Sequence, residues 1–296
     1  MLNIYNRTLH KTIRFLLIVL GTLGILSPSA LAQVRDELHQ SHEGHVLKQV
    51  YDTESGRTVL QSSHESIPTL TTEHTAPGAR QFQQRIPLQR SVGNIVINYT
   101  GFTPEAAACF NRAVEIWSDE IFSSVDIVIN ASFTPLGAGV LGSAGPTNWL
   151  RDFTNAPQAN TFYPIALANA LAGTDLNGSS AEISTSFSSS FSNWYYGLDA
   201  NPPAGQFDFV SVILHELGHG FGFSSGRNYN TETGIGSIGL GNPLTPTRYD
   251  RLVVSGAGTA ITSLANPSTA IGSLLVGGNI FMDGPRVKAA NAGNRG

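Results

Sequence analysis

Cysteine is almost absent from the sequence, because Cys109 is the only one in 296 residues. A single cysteine excludes an internal disulfide. The fold must therefore be stabilised by its hydrophobic core, with a bound metal ion as a further source of stability. The composition allows such a core, since 41% of the residues are hydrophobic. Cys109 lies among alanines in a helical pattern, which favours a buried small side chain over a nucleophile.

A hydrophobic run of membrane-spanning length is missing from the N-terminus. The apolar stretch at residues 15–26 falls well short of the roughly 20 residues that a transmembrane helix needs. It follows three basic residues and precedes an A-x-A cleavage pattern that ends at Ala32. These features predict a secretory signal peptide over residues 1–32, and a secreted or periplasmic protein with no stable membrane insertion after cleavage.

The chain also lacks an excess of positive charge. Removal of residues 1–32, which hold three basic and no acidic residues, leaves 14 Lys and Arg against 21 Asp and Glu, a formal charge of −7. A surface of this sign does not attract phosphate backbones or anionic lipids. The charge therefore argues against nucleic acid and anionic membranes as the main partner.

Two of the eight histidines stand four positions apart, in an H-E-x-x-H pattern. Residues i and i+4 of a helix lie on one face one turn apart, so His215 and His219 can direct their imidazoles at one tetrahedral Zn²⁺. Glu216 is offset by one position, so its carboxylate can stand beside the metal without binding it. From there it can take a proton from a water that the metal activates.

The surrounding residues favour a helix that ends soon after this pattern. Apolar side chains recur at helical spacing on one face, at Val210, Ile213, Leu214, Leu217 and Phe221. Gly220 and Gly222 follow, and glycine accepts the positive φ of a helix C-terminal cap. The alternative is a buried helix whose two histidines are ordinary core or surface groups.

The remainder of the chain divides into a polar leader and one folded domain. Residues 33–90 have weak periodicity and predict a flexible leader or pro-segment, with one short strand pair around residues 44–60. Residues 91–296 are predicted to form one catalytic domain.

The domain begins with a pattern typical of a mixed sheet. Strands at 94–99 and 125–130 flank a helix over 104–122, which predicts a parallel pair with a crossover helix. Residues 182–187 alternate and predict an edge strand above the cleft, where an extended peptide can pair. An ordinary edge strand without such a role fits this alternation equally well.

The run HELGHGFGF at residues 215–223 resembles the zincin signature in its metzincin-like form, in which a glycine stands where Gly222 does. With residues 193–203 and 208–214, it makes the chain similar to secreted bacterial metallopeptidases, several of which carry protease-associated domains. The resemblance spans roughly residues 93–290. It implies an α+β, zincin-like fold: a twisted mixed β-sheet with a crossover helix and an active-site helix that binds Zn²⁺.

The resemblance departs at the third zinc ligand. A metzincin has His or Asp where this chain has Ser225, and no histidine follows His219. Leishmanolysin-type relatives insert a long segment before the third ligand, so a downstream carboxylate would complete the site, from Asp250, Asp283 or Glu232. Asp250 is preferred because its element is flanked by aromatic residues. A second explanation is a C-terminal truncation that removes the ligand-bearing segment.

These residues together predict a secreted zinc metallopeptidase. His215 and His219 hold Zn²⁺, and Glu216 acts as general base before passing the proton to the leaving amine. Tyr249 is a candidate for stabilising the oxyanion. The alternative is a non-catalytic or truncated zincin-like exported protein that binds a peptide or protein partner, which the missing third ligand favours.

Overall fold

The computed structural model describes residues 47–52, 57–62, 81–88 and 93–290, and it shows an α+β fold. The signal peptide expected at 1–32 lies outside these residues. The strands are β1 Leu47–Asp52, β2 Arg57–Ser62, β3 Gln81–Pro87, β4 Asn94–Thr100, β5 Ile127–Thr134, β6 Val140–Pro146, β7 Trp149–Leu150, β8 Tyr163–Pro164, β9 Ile183–Ser188, β10 Trp194–Tyr195, β11 Phe207–Asp208, β12 Asn228–Tyr229, β13 Gly236–Ser237, β14 Val253–Ser255 and β15 Ile280–Met282. The helices are α1 Pro104–Ser118, α2 Ile165–Ala172, α3 Phe209–Gly220, α4 Thr269–Gly277 and α5 Pro285–Ala290, with 3₁₀ turns at Asp250–Leu252 and Ile261–Ser263.

A seven-stranded mixed sheet carries the other elements, in the order β1-β2-β6-β9-β5-β4-β3. The predicted crossover is confirmed, since β4 and β5 run parallel and α1 lies between them in the chain. Thr103 caps α1, because its hydroxyl accepts a hydrogen bond from the backbone N–H of Ala106. Pro104 fits the first turn, where a helix makes no use of the missing N–H.

Helix α1 is shorter than its apolar pattern predicts. The expected helix reaches residue 122, but the observed one ends at Ser118. Ile121 is buried all the same, and its backbone N–H bonds to the carbonyl of Trp117 across a turn. A turn can therefore bury a side chain that helical periodicity assigns to the helix.

The prediction of an edge strand over residues 182–187 is wrong. Strand β9 lies inside the sheet, where it pairs parallel with β5 and antiparallel with β6. Its buried residues alternate because one face packs against α3, with Ile183 and Phe187 both fully buried. Alternation reports which face of a strand is covered and carries no information about the strands on either side. β9 therefore has β5 on one side and β6 on the other, and neither of its edges is exposed.

The sheet extends into the segment predicted to be a leader. The strand pair expected around residues 44–60 is confirmed, with β1 and β2 antiparallel over Leu47–Asp52 and Arg57–Ser62. Strand β2 continues the sheet onto β6, and β3 pairs with β4 at the opposite edge. The expected boundary at residue 90 is therefore not the edge of the sheet. No helix in the described ranges is long and apolar enough to cross a membrane.

Helix α3 packs on β6 and β9 through one close approach. A Cβ on Gly220 would lie 2.5 Å from Cγ2 of Ile183, so only glycine lets the helix end come this near to β9. At the other end of α3 the ring of Phe209 packs on Phe187, with centroids 5.5 Å apart. The two contacts fix the height and the direction of the helix over the sheet.

The core beneath α1 and α3 is apolar, and Cys109 belongs to it. This thiol is fully buried and bonds to the carbonyl of Tyr196. Burial raises its pKa to about 12, so it stays protonated and unreactive. The expectation of a buried small side chain is confirmed.

Replacing Gly220 with alanine is expected to lower the free energy of unfolding by about 1–3 kcal/mol, because the new methyl group overlaps Ile183. Chemical denaturation measures the change. Gly277→Ala is the control, since a Cβ at that helical position meets nothing within 4 Å. Equal effects of the two substitutions would show that the close approach of α3 to β9 is not tight.

Candidate functional site

The helix that carries the H-E-x-x-H pattern is fixed at its N-terminus by Asp208. One carboxylate oxygen of Asp208 accepts hydrogen bonds from the backbone N–H and the hydroxyl of Ser211, which satisfies an otherwise free helix N–H. Burial raises the pKa of this carboxyl, and the bonds from Ser211 oppose the rise. The cap therefore starts α3 in a fixed place, two turns before the first histidine.

The two imidazoles converge as the sequence predicts. The Nε2 atoms of His215 and His219 lie 3.1 Å apart. Two nitrogens that each sit about 2.0–2.1 Å from one tetrahedral Zn²⁺ are about 3.3 Å apart, so the rings already have the spacing of metal ligands. Two arrangements fit this distance. Nε2 of His215 can donate a hydrogen bond to Nε2 of His219, or both neutral rings can bind one divalent cation through Nε2.

A carbonyl oxygen sets the tautomer of the second histidine. Nδ1 of His219 lies 2.7 Å from the backbone oxygen of Phe223. A carbonyl only accepts, so Nδ1 must carry the proton and Nε2 is left with its lone pair. Metal-binding histidines are oriented by this kind of bond on the opposite ring nitrogen.

The turn after α3 brings that carbonyl back to the ring. The N–H of Phe223 bonds to the carbonyl of Gly218, and the N–H of Gly222 bonds to that of His219, which is the Schellman pattern of helix ends. Gly222 has φ of 119°, a conformation open to glycine. The prediction of a glycine cap is thus confirmed at Gly222, whereas Gly220 is needed for its small size.

Burial keeps both imidazoles neutral. It lowers the pKa of His219 to about 4, with the Phe223 carbonyl opposing the shift and the charge of Arg227 adding to it. Burial, with a smaller effect of His219, lowers the pKa of His215 well below its ordinary value. Both rings are therefore neutral at neutral pH. Nε2 of His219 carries a lone pair, and His215 can bind metal through Nε2 once its own proton lies on Nδ1.

Glu216 places a carboxyl group inside the molecule with no hydrogen-bond partner among the described residues. Both of its side-chain oxygens are buried, and the residue has no exposed surface. Burial raises its pKa well above the ordinary value. The backbone of Ala144 on β6 opposes this rise, although it does not complete a hydrogen bond. An isolated buried carboxyl is costly, which points to a cation or water beside it.

Asp250, the predicted third ligand, is not brought to the imidazoles. Its two oxygens are engaged elsewhere, one by the hydroxyl of Ser225 at 2.5 Å and the other by the N–H of Thr247 at 2.7 Å. Ser225 is thus the partner of Asp250. The carboxyl is buried, and it ties the 3₁₀ turn at Asp250–Leu252 to the chain that follows α3.

The other carboxylates considered for the third position are also placed away from the pair. Asp283 forms an ion pair with Lys288, and Glu232 is exposed in a loop. Within the described ranges, no group of three or more His, Cys, Asp or Glu residues could hold a metal ion. The donor set that fits Zn²⁺ here is therefore the two imidazoles, with the remaining positions open to water or other groups.

Two backbone groups of the site were missed in the sequence. The Phe223 carbonyl could have been found, because a glycine at the helix end predicts a Schellman turn that returns the chain to the last helical residues. The Ala144 amide could not have been found, because it belongs to a strand about 70 residues earlier. The residues of that strand do not indicate which strands it pairs with. Tyr249 lies nearby, with its ring 4.9 Å from that of Phe223.

No model of a protein family matches the chain, and no curated protein or solved structure matches it significantly. The assignment of a function therefore depends on the residues of the site and their geometry.

Substituting Gly222 with alanine is expected to weaken Zn²⁺ binding about 10–100-fold, because the strained turn moves the Phe223 carbonyl away from His219. Competition with a chromophoric chelator measures the affinity. Gly278→Ala is the matched control, since Gly278 also ends a helix with positive φ, at 64°, but far along the chain from the histidines. Identical zinc affinities of the two variants would contradict the role of the turn.

Asp250→Asn separates a structural carboxylate from a metal ligand. The NH₂ group of the new asparagine cannot accept a hydrogen bond, so one of the two bonds from Ser225 and Thr247 is lost. The free energy of unfolding is therefore expected to fall by about 1–3 kcal/mol. The affinity for Zn²⁺ should stay within about twofold of the unmodified protein, because both oxygens already serve Ser225 and Thr247. A loss of zinc binding as large as that of His219→Ala would restore Asp250 as the third ligand.

Proposed function

We propose that the protein is an exported zinc-dependent metallopeptidase. The observation that carries this proposal is the pair of Nε2 atoms 3.1 Å apart on one helical turn, with the buried carboxyl of Glu216 next to them in the chain. The signal-like pattern over residues 1–32 supports export. The resemblance of residues 215–223 to the zincin signature supports peptide-bond hydrolysis.

The proposed chemistry divides between the metal and the chain. A bound Zn²⁺ would polarise the scissile carbonyl and lower the pKa of a bound water towards about 7. His215 and His219 would hold the ion through Nε2, and the Phe223 carbonyl keeps the proton of the second ring on Nδ1. Glu216 takes the proton from the attacking water and delivers it to the leaving amine.

The raised pKa of Glu216 suits this role. A general base works best when its pKa lies near the operating pH, and burial moves a carboxyl in that direction. A cation bound beside Glu216 would lower the pKa again, which favours the ionised carboxylate that a general base requires.

The alternative is a non-catalytic zincin-like protein that binds a peptide or protein partner. Two observations favour it. The described residues supply no third ligand, and the side chains of His215, Glu216 and His219 are at most 3% exposed. A retained Glu216 favours the enzyme, because a binding module has no use for an unpaired buried acid.

Glu216→Gln decides between the two functions. We expect the purified protein to bind one Zn²⁺, as measured by metal analysis, and to cleave casein. The variant should keep the zinc, but its kcat/KM should fall on the order of 10²–10⁴-fold. Glu232→Gln, at an exposed loop carboxylate, is the control with unchanged activity. Stoichiometric zinc without any Glu216-dependent cleavage would support the binding protein and refute the peptidase.

A further inference from the structure

Two segments that are distant along the chain bring three arginines together. The segment at residues 148–164 runs beside the segment at residues 245–252, because the N–H of Phe162 bonds to the carbonyl of Pro246 at 2.9 Å and the N–H of Arg248 bonds to the carbonyl of Phe162 at 2.8 Å. The two segments contribute three basic residues, here called the arginine surface: Arg151, Arg248 and Arg251.

Two of these guanidinium groups are held in place by neighbouring residues. Arg251 donates from Nε to the hydroxyl of Thr161 at 3.2 Å and from Nη2 to the carbonyl of Asn160 at 2.9 Å. The guanidinium of Arg151 lies 5.6 Å from the ring centroid of Phe162. Both groups are thus anchored on three consecutive residues. A guanidinium has five N–H donors, so each keeps donors for a further partner.

The positive charge of the arginine surface is only partly balanced. Asp152 and Asp250 are the acidic residues of the two segments. One oxygen of Asp152 accepts the N–H of Asn160 at 2.7 Å, and the other lies 3.8 Å from Arg151. Asp250 is buried, with both oxygens bonded to other groups. Among the described residues, the other two arginines form no ion pair. Three arginines therefore stand beside one exposed carboxylate.

A short series of contacts connects the arginine surface to the candidate site. Tyr249 follows Arg248 in the chain, and its ring lies 4.9 Å from that of Phe223. The ring of Phe223 lies 6.2 Å from that of His219, and its carbonyl holds Nδ1 of the same histidine. An extended chain rises about 3.3 Å per residue, so a segment of about five residues can reach from the imidazoles to the arginine surface.

The sign of this surface is opposite to that of the molecule as a whole. The sequence after residue 32 has a formal charge of −7, so a long polyanion that extends past the arginines is repelled. A short acidic segment responds to the local charge, because salt screens charges beyond about 8 Å under physiological conditions. Guanidinium groups bind carboxylates through paired hydrogen bonds. These properties favour the side chains of Asp and Glu over a phosphate backbone.

We propose that the arginine surface binds acidic side chains of a polypeptide that lies across the candidate site. This deepens the proposed function, on which it rests in one respect: the bound polypeptide is the substrate. The substrate class is then polypeptide segments that carry Asp or Glu a few residues away from the scissile bond.

Fluorescence anisotropy with labelled synthetic peptides tests the proposal on the full-length protein. Three peptides of equal length carry Glu, Gln or Lys at the same positions, and the protein carries Glu216→Ala so that no peptide is cleaved. We expect the Glu peptide to bind at least about fivefold more tightly than the Gln peptide at about 20 mM salt. The difference should fall below about twofold at about 500 mM salt, because salt screens the arginine charges.

Neutral variants locate the effect. Arg151→Gln combined with Arg248→Gln should abolish the preference for the Glu peptide, and lysine at both positions should restore most of it. The matched control is Arg85→Gln with Arg112→Gln, which removes the same charge from arginines of β3 and α1. The control should keep the preference. Arg251 is left unchanged, because its bonds to residues 160 and 161 hold the loop.

Equal affinity for the Glu and Gln peptides at low salt, or an equal loss of preference in the control, would overturn the proposal. Tighter binding of a single-stranded DNA of the same charge would overturn it as well. The peptidase is tested separately, with casein and intact Glu216. Binding of the Glu peptide without cleavage keeps the arginine surface and removes the peptidase. Cleavage without a charge preference keeps the peptidase and removes the arginine surface.

Discussion

The hydrogen bond between Nδ1 of His219 and the carbonyl of Phe223 is the interaction on which the site depends. It fixes the proton on Nδ1, so the lone pair of His219 lies on Nε2, which faces Nε2 of His215 at 3.1 Å. The bond exists only because Gly222 adopts a positive φ and turns the chain back onto the helix end. A backbone constraint at one glycine therefore determines the chemistry of a side chain three residues before it.

The fold protects this arrangement through tight packing. Gly220 allows α3 to approach Ile183 on β9, and the Asp208 cap fixes where the helix begins. The helix is thus located at both ends, and the spacing of the imidazoles follows from its regular geometry. The same packing buries Glu216 without a partner, which costs stability. A bound cation would offset that cost, so the proposed metal binding would stabilise the folded protein.

Local features were predictable from the sequence because short-range physics determines them. The Thr103 cap, the crossover helix between β4 and β5, the strand pair in residues 47–62 and the two histidines on one turn follow from patterns within a few residues. Features that depend on distant neighbours were not. The alternation of β9 reported its covered face and not its place inside the sheet.

The third ligand shows the same limit. The aromatic flanks of Asp250 favour it as a ligand, and one such ring, that of Tyr249, does lie against Phe223 near the site. The carboxylate itself turns to Ser225 and Thr247, because the segment after α3 supplies one donor and the turn before Asp250 supplies the other. No local sequence pattern distinguishes a carboxylate that stabilises a turn from one that binds a metal ion. The pairing of β2 with β6 is likewise not predictable from the sequence, because it joins two strands that are distant along the chain.

The central claim is that His215 and His219 share one divalent cation, and X-ray absorption at the zinc K-edge of the loaded full-length protein tests it most directly. The account predicts scattering from two imidazole rings at about 2.0–2.1 Å in a four-coordinate shell, reduced to at most one ring in His219→Ala. A spectrum without imidazole scattering, or one that His219→Ala leaves unchanged, would contradict it.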